Sequence, residues 1–151
     1  MKNILKISAL AAFVTLGSSI CFAGSITAAA YDYNDAGGYY TESNSGTSGT
    51  INRSTATGTT RAEIWKSDDA DNCFIAAYAR AQSNYQPWNN VSEAEAQASR
   101  TYYHGVSVSD SNTEGFTGTL NKTAYVYAVV ETDCHWNDET CWADAEATVS
   151  W

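Results

Sequence analysis

Aromatic rings beside amide and carboxylate side chains are the groups in this chain best suited to bind a ligand. A flat ring covers the apolar side of a sugar, while amide and carboxylate oxygens accept hydrogen bonds from its hydroxyls. Two polar segments that each hold a tryptophan, and the polar face of the last predicted strand, have this character. The candidate ligand-binding residues are Tyr85, Trp88, Asn89, Trp136, Asp138 and Trp142. The alternative for Trp88 is that its ring folds back over the core.

A second pattern of oxygen ligands is typical of calcium loops. Asp110-x-Asn112-x-Glu114-Gly115 places potential Ca²⁺ ligands at alternate positions, followed by a glycine that permits a sharp bend. Asn121 stands where the bidentate acid of such a loop is expected. Because turns favour Asp and Asn for backbone reasons alone, an ordinary turn is the alternative. The sequence predicts no other cofactor.

The first 23 residues have the layout of a secretory signal peptide. Lys2 and Lys6 precede an apolar run over residues 7–20, and Cys21-Phe22-Ala23 places small residues where a signal peptidase reads them. The run is shorter than the roughly 20 apolar residues of a membrane span. We therefore expect one domain, residues 24–151, that is secreted, periplasmic or on a bacterial cell surface. Lipid attachment at Cys21 is the alternative.

The charge of the exported part restricts its partners. Six basic and seventeen acidic residues follow residue 23, which gives a net charge of −11. Nucleic acids and anionic membranes attract Lys and Arg, so we expect neither as a partner. Solubility is the simplest role for such acidity.

Three cysteines follow residue 23, at Cys73, Cys134 and Cys141. An exported chain meets oxidising conditions, which predicts one disulfide and one remaining cysteine. Cys134 and Cys141 flank a short loop between two predicted strands and are the predicted pair. Pairings that use Cys73 stay open, because spacing alone does not determine connectivity.

Alternation of apolar and polar residues with a period of two dominates the chain and predicts strands. It is clearest over residues 141–151, where alanines recur on one face. Strands are also predicted at residues 25–33, 62–66, 73–82, 91–109 and 122–132, separated by turns rich in Asp, Asn and Gly at residues 34–38, 67–72, 110–115 and 133–140. Residues 41–60, rich in Ser, Thr and Gly, form either a long loop or an exposed edge hairpin.

These elements predict an all-β, antiparallel β-sandwich of jelly-roll or immunoglobulin-like type, with about seven to nine strands. The strand at 122–132 is apolar on both faces and is predicted to be central and covered from both sides. Repeated alanines predict closely packed sheets, with Tyr and Trp filling the remaining gaps.

The first functional hypothesis is an exported, non-enzymatic module that binds carbohydrate or another cell-surface ligand. The alternative is a structural surface or matrix subunit that self-assembles through strand edges, because exposed edges pair readily. A small glycan hydrolase that uses two carboxylates is the third hypothesis. The chain contains no nucleophile elbow, phosphate loop or dinucleotide motif, so no catalytic residue is assigned.

Overall fold

The structure is a computed structural model that describes residues 24–70, 72–84, 90–100, 105–119, 122–135 and 139–151. The predicted signal peptide lies outside these residues. The strands are β1 (Ser25–Asn34), β2 (Gly38–Thr47), β3 (Thr55–Lys66), β4 (Phe74–Ser83), β5 (Val91–Ala98), β6 (Val106–Thr117), β7 (Ala124–Cys134) and β8 (Cys141–Ser150). The all-β prediction is confirmed. The described part of the chain contains no helix suited to crossing a bilayer.

The strands form two antiparallel four-stranded sheets that pack face to face. Sheet A has the order β1-β8-β3-β6, and sheet B has the order β2-β7-β4-β5. The chain therefore pairs β1 with β8, β2 with β7, β3 with β6, and β4 with β5. A long antiparallel hairpin rolled into two layers in this way is a jelly roll. Of the two predicted types of sandwich, the structure has this one.

Alanine dominates the interface between the two sheets. Among the described residues, sixteen of the 26 buried hydrophobic ones are alanines. Cα atoms of β1 and β7, and of β4 and β8, come within 8 Å of each other across the interface. Packed sheets are usually about 10 Å apart, so the methyl side chains permit an unusually close approach, as the alanine pattern predicts.

The few large core residues fit where the opposing backbone leaves room. Phe116 packs on Gly58, where an added Cβ would lie 2.2 Å from the ring. Ile51 is 1 % exposed and anchors the connection between β2 and β3. The prediction that Tyr and Trp fill the core is wrong for the described residues. Among these, Trp151 packs against the core from its margin, and the other described Tyr and Trp side chains are half-buried or exposed.

Several strand bounds differ from the sequence prediction. β3 begins at Thr55, because its backbone is paired with β8 on one side and β6 on the other. The predicted strand 91–109 is two strands, β5 and the start of β6, and the predicted turn 110–115 lies inside β6. Residues 41–60 form most of the exposed edge strand β2 and the start of β3, in different sheets, and therefore no hairpin. β7 is central in sheet B, but its outer face is only half-buried.

Candidate ligand-binding surface

Three aromatic side chains stand side by side on the outer face of sheet A. Tyr33 of β1 is opposite Trp142 of β8, and Trp142 is opposite Trp65 of β3. Neighbouring strands are about 4.8 Å apart, so the three residues extend over roughly 10 Å of the sheet. Tyr33 is 51 % exposed, and the two tryptophans are half-buried. We call Tyr33, Trp142 and Trp65 the aromatic row.

Three buried residues on the inner face of sheet A fix the outward direction of these rings. The neighbours of the three aromatic residues in sequence are Asn34, Cys141 and Lys66, which are also opposite one another in register. All three are at most 2 % exposed. Because successive side chains of a strand point to opposite faces, burial of these three residues directs the rings to the outer face.

Charged side chains lie beside the aromatic row, one step further along the strands. Asp144 is opposite both Tyr31 and Glu63. Arg61 bridges the two carboxylates, with Nη2 2.7 Å from Asp144 Oδ2 and Nη1 2.9 Å from Glu63 Oε2. Partial burial and the negative charge of Asp144 raise the pKa of Tyr31. Its hydroxyl therefore stays protonated further into the alkaline range than that of a free tyrosine.

A groove with a volume of about 550 Å³ continues the aromatic row beyond Trp65. Its lining includes Trp65, Asp68, Asp69 and Ser107, and Ser107 is opposite Trp65 in register. The Gly105 N–H donates a hydrogen bond to Asp68 Oδ1 at 2.8 Å. A Cβ at Gly105 would lie 2.5 Å from that oxygen, so a larger residue there would displace the Asp68 carboxylate. The groove adds carboxylate acceptors at the end of the row.

The other end of the same outer face has a different chemistry. Thr27, Thr148, Thr59 and Thr113 are opposite one another on the four strands of sheet A. The hydroxyl oxygens of Thr27 and Thr148 are 2.8 Å apart and share a hydrogen bond. We call these four residues the threonine row. It has the same backbone support as the aromatic row but carries no ring.

Trp142 is the one predicted ligand-binding residue within the described part of the chain, and it occupies the centre of the aromatic row. The predicted residues that lie outside the described part are Tyr85, Trp88, Asn89, Trp136 and Asp138. The strand ends that border these two segments lie at opposite ends of the sandwich. Ser83, before the first segment, is opposite Ala124 at the start of β7, whereas Cys134, before the second segment, is at the far end of β7.

Sequence reasoning missed Tyr33 and Trp65. Their proximity to Trp142 arises from the register of three strands that are distant in the sequence. The residues around each ring alternate between the two faces of its strand, and this pattern predicts which face of the strand carries the ring. It does not predict which residues of other strands lie beside the ring.

The structure does not support a calcium loop at Asp110, Asn112 and Glu114, because all three lie on the extended strand β6. Alternate residues of a strand are roughly 7 Å apart, whereas calcium ligands converge to about 2.3–2.6 Å from one ion. Asp110 Oδ2 instead accepts a hydrogen bond from the Glu95 N–H at 3.1 Å. This contact links the edge strands β5 and β6.

The predicted disulfide between Cys134 and Cys141 is wrong, because Cys134 is bonded to a different cysteine. The structure joins Cys134 to Cys73 and leaves Cys141 as a buried free thiol. Phe74 is opposite Asp133 in the β4–β7 pair, which places Cys73 next to Cys134 within sheet B, whereas Cys141 belongs to sheet A. Cys141 Sγ nevertheless lies 3.1 Å from Cys134 Sγ.

Comparison of the chain with models of known protein families and with characterised proteins found no match. The features of this surface that suit a ligand are the aromatic row, the carboxylates beside it and the groove at its end.

Proposed function

We propose that this chain is an exported, non-enzymatic binding module that holds a neutral glycan against the aromatic row. The observation that carries this proposal is the register that aligns Tyr33, Trp142 and Trp65 across three neighbouring strands. Together the rings offer an apolar strip roughly 10 Å long. Because paired strands hold them, little conformational freedom is lost when a ligand binds.

The charged groups beside the rings suit the hydroxyls of a sugar. Asp144 and Glu63 offer carboxylate acceptors, and Arg61 holds their orientation through its ion pairs with both. A hydrogen bond to a charged group contributes about 1.5–3 kcal/mol when water is excluded. Asp68 and Asp69 extend the acceptors into the groove.

The same carboxylates select against acidic polysaccharides. Like charges brought together in a partly desolvated site cost free energy, and the whole chain carries a net charge of −9. A glycan with uronate or sulfate groups would meet this repulsion, whereas a neutral glycan would not. Export, inferred from the layout of residues 1–23, is consistent with a ligand on a cell surface or in a matrix.

Glycan-panel binding followed by calorimetry tests the proposal. We expect the purified protein to bind one or more neutral glycans and to bind uronate-containing or sulfated glycans far less. A triple variant, Tyr33→Ala, Trp65→Ala and Trp142→Ala, should abolish binding. The matched control, Thr27→Ala, Thr59→Ala and Thr148→Ala, removes side chains from the same three strands and should bind as the wild type does. Equal binding by the two triple variants would reject the aromatic row as the site.

Self-assembly through a strand edge is a second candidate function, and the exposure of β2 favours it. This ten-residue edge strand has no buried residue. At the opposite side of the sandwich, side chains of Asp110 and Asn90 bond to the backbone of the other sheet's edge strand. β2 has one such link, from the Asn34 side chain to the Gly38 carbonyl at its first residue, and a long exposed edge readily pairs with another chain.

Light scattering after size exclusion tests this candidate. An assembly formed through β2 should dissociate in the double variant Ser43→Lys and Ser45→Lys, because charged edge residues oppose strand pairing. Ser107→Lys and Ser109→Lys on the edge strand β6 provide the control. A wild-type protein that is monomeric at every concentration would reject self-assembly.

A further inference from the structure

A cluster of metal-ligating groups lies at the end of the sandwich and has no role in the proposed glycan site. The Sγ atoms of Cys73, Cys134 and Cys141 all lie within 4.8 Å of one another, and the three residues are buried. Glu139 is 2 % exposed, and its Oε2 lies 3.6 Å from Cys73 Sγ. Strands from both sheets and the connection before β8 thus bring three sulfurs and a carboxylate together.

We propose that these four residues bind one Zn²⁺ ion when the cysteines are reduced. Three thiolates and one carboxylate are ligands that zinc accepts in a tetrahedral site. Zn–S bonds of about 2.3 Å place tetrahedral sulfurs roughly 3.8 Å apart. The Cys134 and Cys141 sulfurs are 3.1 Å apart, and the three sulfurs all lie within 4.8 Å of one another, so side-chain movements of the reduced cysteines produce this geometry.

The surroundings of the cluster suit a negatively charged metal site. Three thiolates and a carboxylate outweigh the charge of Zn²⁺, and an uncompensated buried charge is costly. Lys66 is fully buried and is opposite Cys141 in register, so its ammonium group offsets part of the excess. The N–H groups of Asn72 and His135 donate to the Glu139 carboxylate at 3.1 and 2.9 Å. Such hydrogen bonds orient a metal ligand.

The zinc-bound form and the disulfide form exclude each other. The cysteines are thiols when the chain is synthesised, and zinc binding releases one proton from each of the three. Forming the Cys73–Cys134 disulfide passes two electrons to an oxidant, such as a small-molecule disulfide that is reduced to two thiols. This step removes two of the three sulfur ligands, so oxidation releases the ion.

Cobalt titration of the reduced full-length protein tests the site. The protein is reduced with a phosphine under anaerobic conditions and titrated with Co²⁺, which serves as a coloured probe of zinc sites. We expect sulfur-to-cobalt charge-transfer absorption and the visible bands of tetrahedral Co²⁺, saturating at one equivalent and lost when Zn²⁺ is added. Zinc should also protect the thiols of Cys73, Cys134 and Cys141 from alkylation, and the oxidised protein should show none of these effects.

Three variants separate zinc ligation from a structural role. Cys141→Ser retains the Cys73–Cys134 disulfide in the oxidised protein, but should weaken zinc binding by the reduced protein roughly 100-fold, at least as much as losing a group that only supports a metal ligand. Glu139→Gln should shift the visible cobalt bands, whereas Glu114→Gln on β6 should leave them unchanged. Less than one equivalent bound, a spectrum of six-coordinate cobalt, or wild-type affinity in Cys141→Ser would each overturn the proposal.

The folded state of the reduced protein provides a further readout. If reduction unfolds the chain, zinc should restore the strand signal in circular dichroism, because binding free energy then drives folding. Failure of zinc to restore that signal would also overturn the proposal. Neither result depends on whether the aromatic row binds a glycan.

Discussion

In sheet A the small side chains face the core and the large aromatic side chains face outward, which is the reverse of the usual arrangement. Along β8, Ala143, Ala145 and Ala147 face the core, while Trp142 faces outward. Aromatic rings usually supply much of the apolar area of a core, but here methyl groups fill the narrow space between the sheets. The comparison indicates that the outer rings are not needed to hold the two sheets together.

The outer face itself divides into two ends with the same backbone and different side chains. The aromatic row and the threonine row lie on the same strands of sheet A. A functional difference between the two ends must therefore come from the side chains rather than from the fold. Substitutions on the inner face, in the aromatic row and in the threonine row separate these contributions.

The largest expected effect comes from enlarging an inner-face alanine. Ala145 is fully buried and lies between Ala30 and Ala62. Ala145→Leu adds three carbon atoms to the narrow interface and should lower the free energy of unfolding by about 3 kcal/mol, at the upper end for overpacking. Urea denaturation measures it. Thr148→Leu on the outer face should change stability by only about 0.5 kcal/mol, and equal losses would contradict the close packing.

Removing the central ring of the aromatic row should have the next largest effect. Trp142→Ala should weaken glycan binding about 100-fold, as expected for a central aromatic hot spot, and calorimetry measures this. Thr148→Ala, six residues along the same strand, should leave the affinity unchanged. An unchanged affinity in Trp142→Ala, with a loss of stability like that of Ala145→Leu, would make the ring structural.

Burial of the Cys141 thiol on the inner face predicts a loss of stability at alkaline pH. Burial, followed by the negative charges of Asp32 and Glu139, raises the pKa of the Cys141 thiol from 9.0 to about 12. Below pH 9 the thiol is neutral in both the folded and the unfolded state. Between pH 9 and 12 the unfolded state loses this proton first, so the free energy of unfolding falls as pH rises.

Urea denaturation of the oxidised protein across this pH range measures the effect. Cys141→Ala removes the titrating thiol and should show a shallower decline between pH 9 and 12, because the remaining ionisable groups are unchanged. Parallel curves for the two proteins would show that the thiol does not contribute.

Local alternation was sufficient to predict much of this fold. In residues 141–150 the predicted inner face is the buried face at every position, because the side-chain period of a strand depends on the backbone alone. Composition gave the wrong prediction at Asp110 and Asn112, because these residue types are typical of turns but here lie inside β6. There the extended backbone is stabilised by pairing with β3, and the Asp110 side chain finds a partner on β5.

The sites depend on register, which the sequence pattern does not contain. Tyr33, Trp65 and Trp142 meet because β8 lies between β1 and β3, and the choice of Cys73 as the disulfide partner follows from the pairing of β4 with β7. Spacing along the chain favoured Cys134 and Cys141, which are close in sequence but belong to different sheets.

The smallest expected effect concerns the ion pairs between the two rows. Arg61 contacts Asp144 and Glu63, but its side chain is 41 % exposed, and an exposed pair contributes only about 0.2–1 kcal/mol. Arg61→Gln should therefore lower the free energy of unfolding by about 1 kcal/mol at most, and the difference should shrink in about 1 M salt, where charges are screened within roughly 3 Å. The free energy of glycan binding should change by more than the free energy of unfolding, because Asp144 and Glu63 then lose the group that orients them beside the rings. A large, salt-independent loss of stability would instead show that Arg61 holds the sheet together through packing of its aliphatic stem.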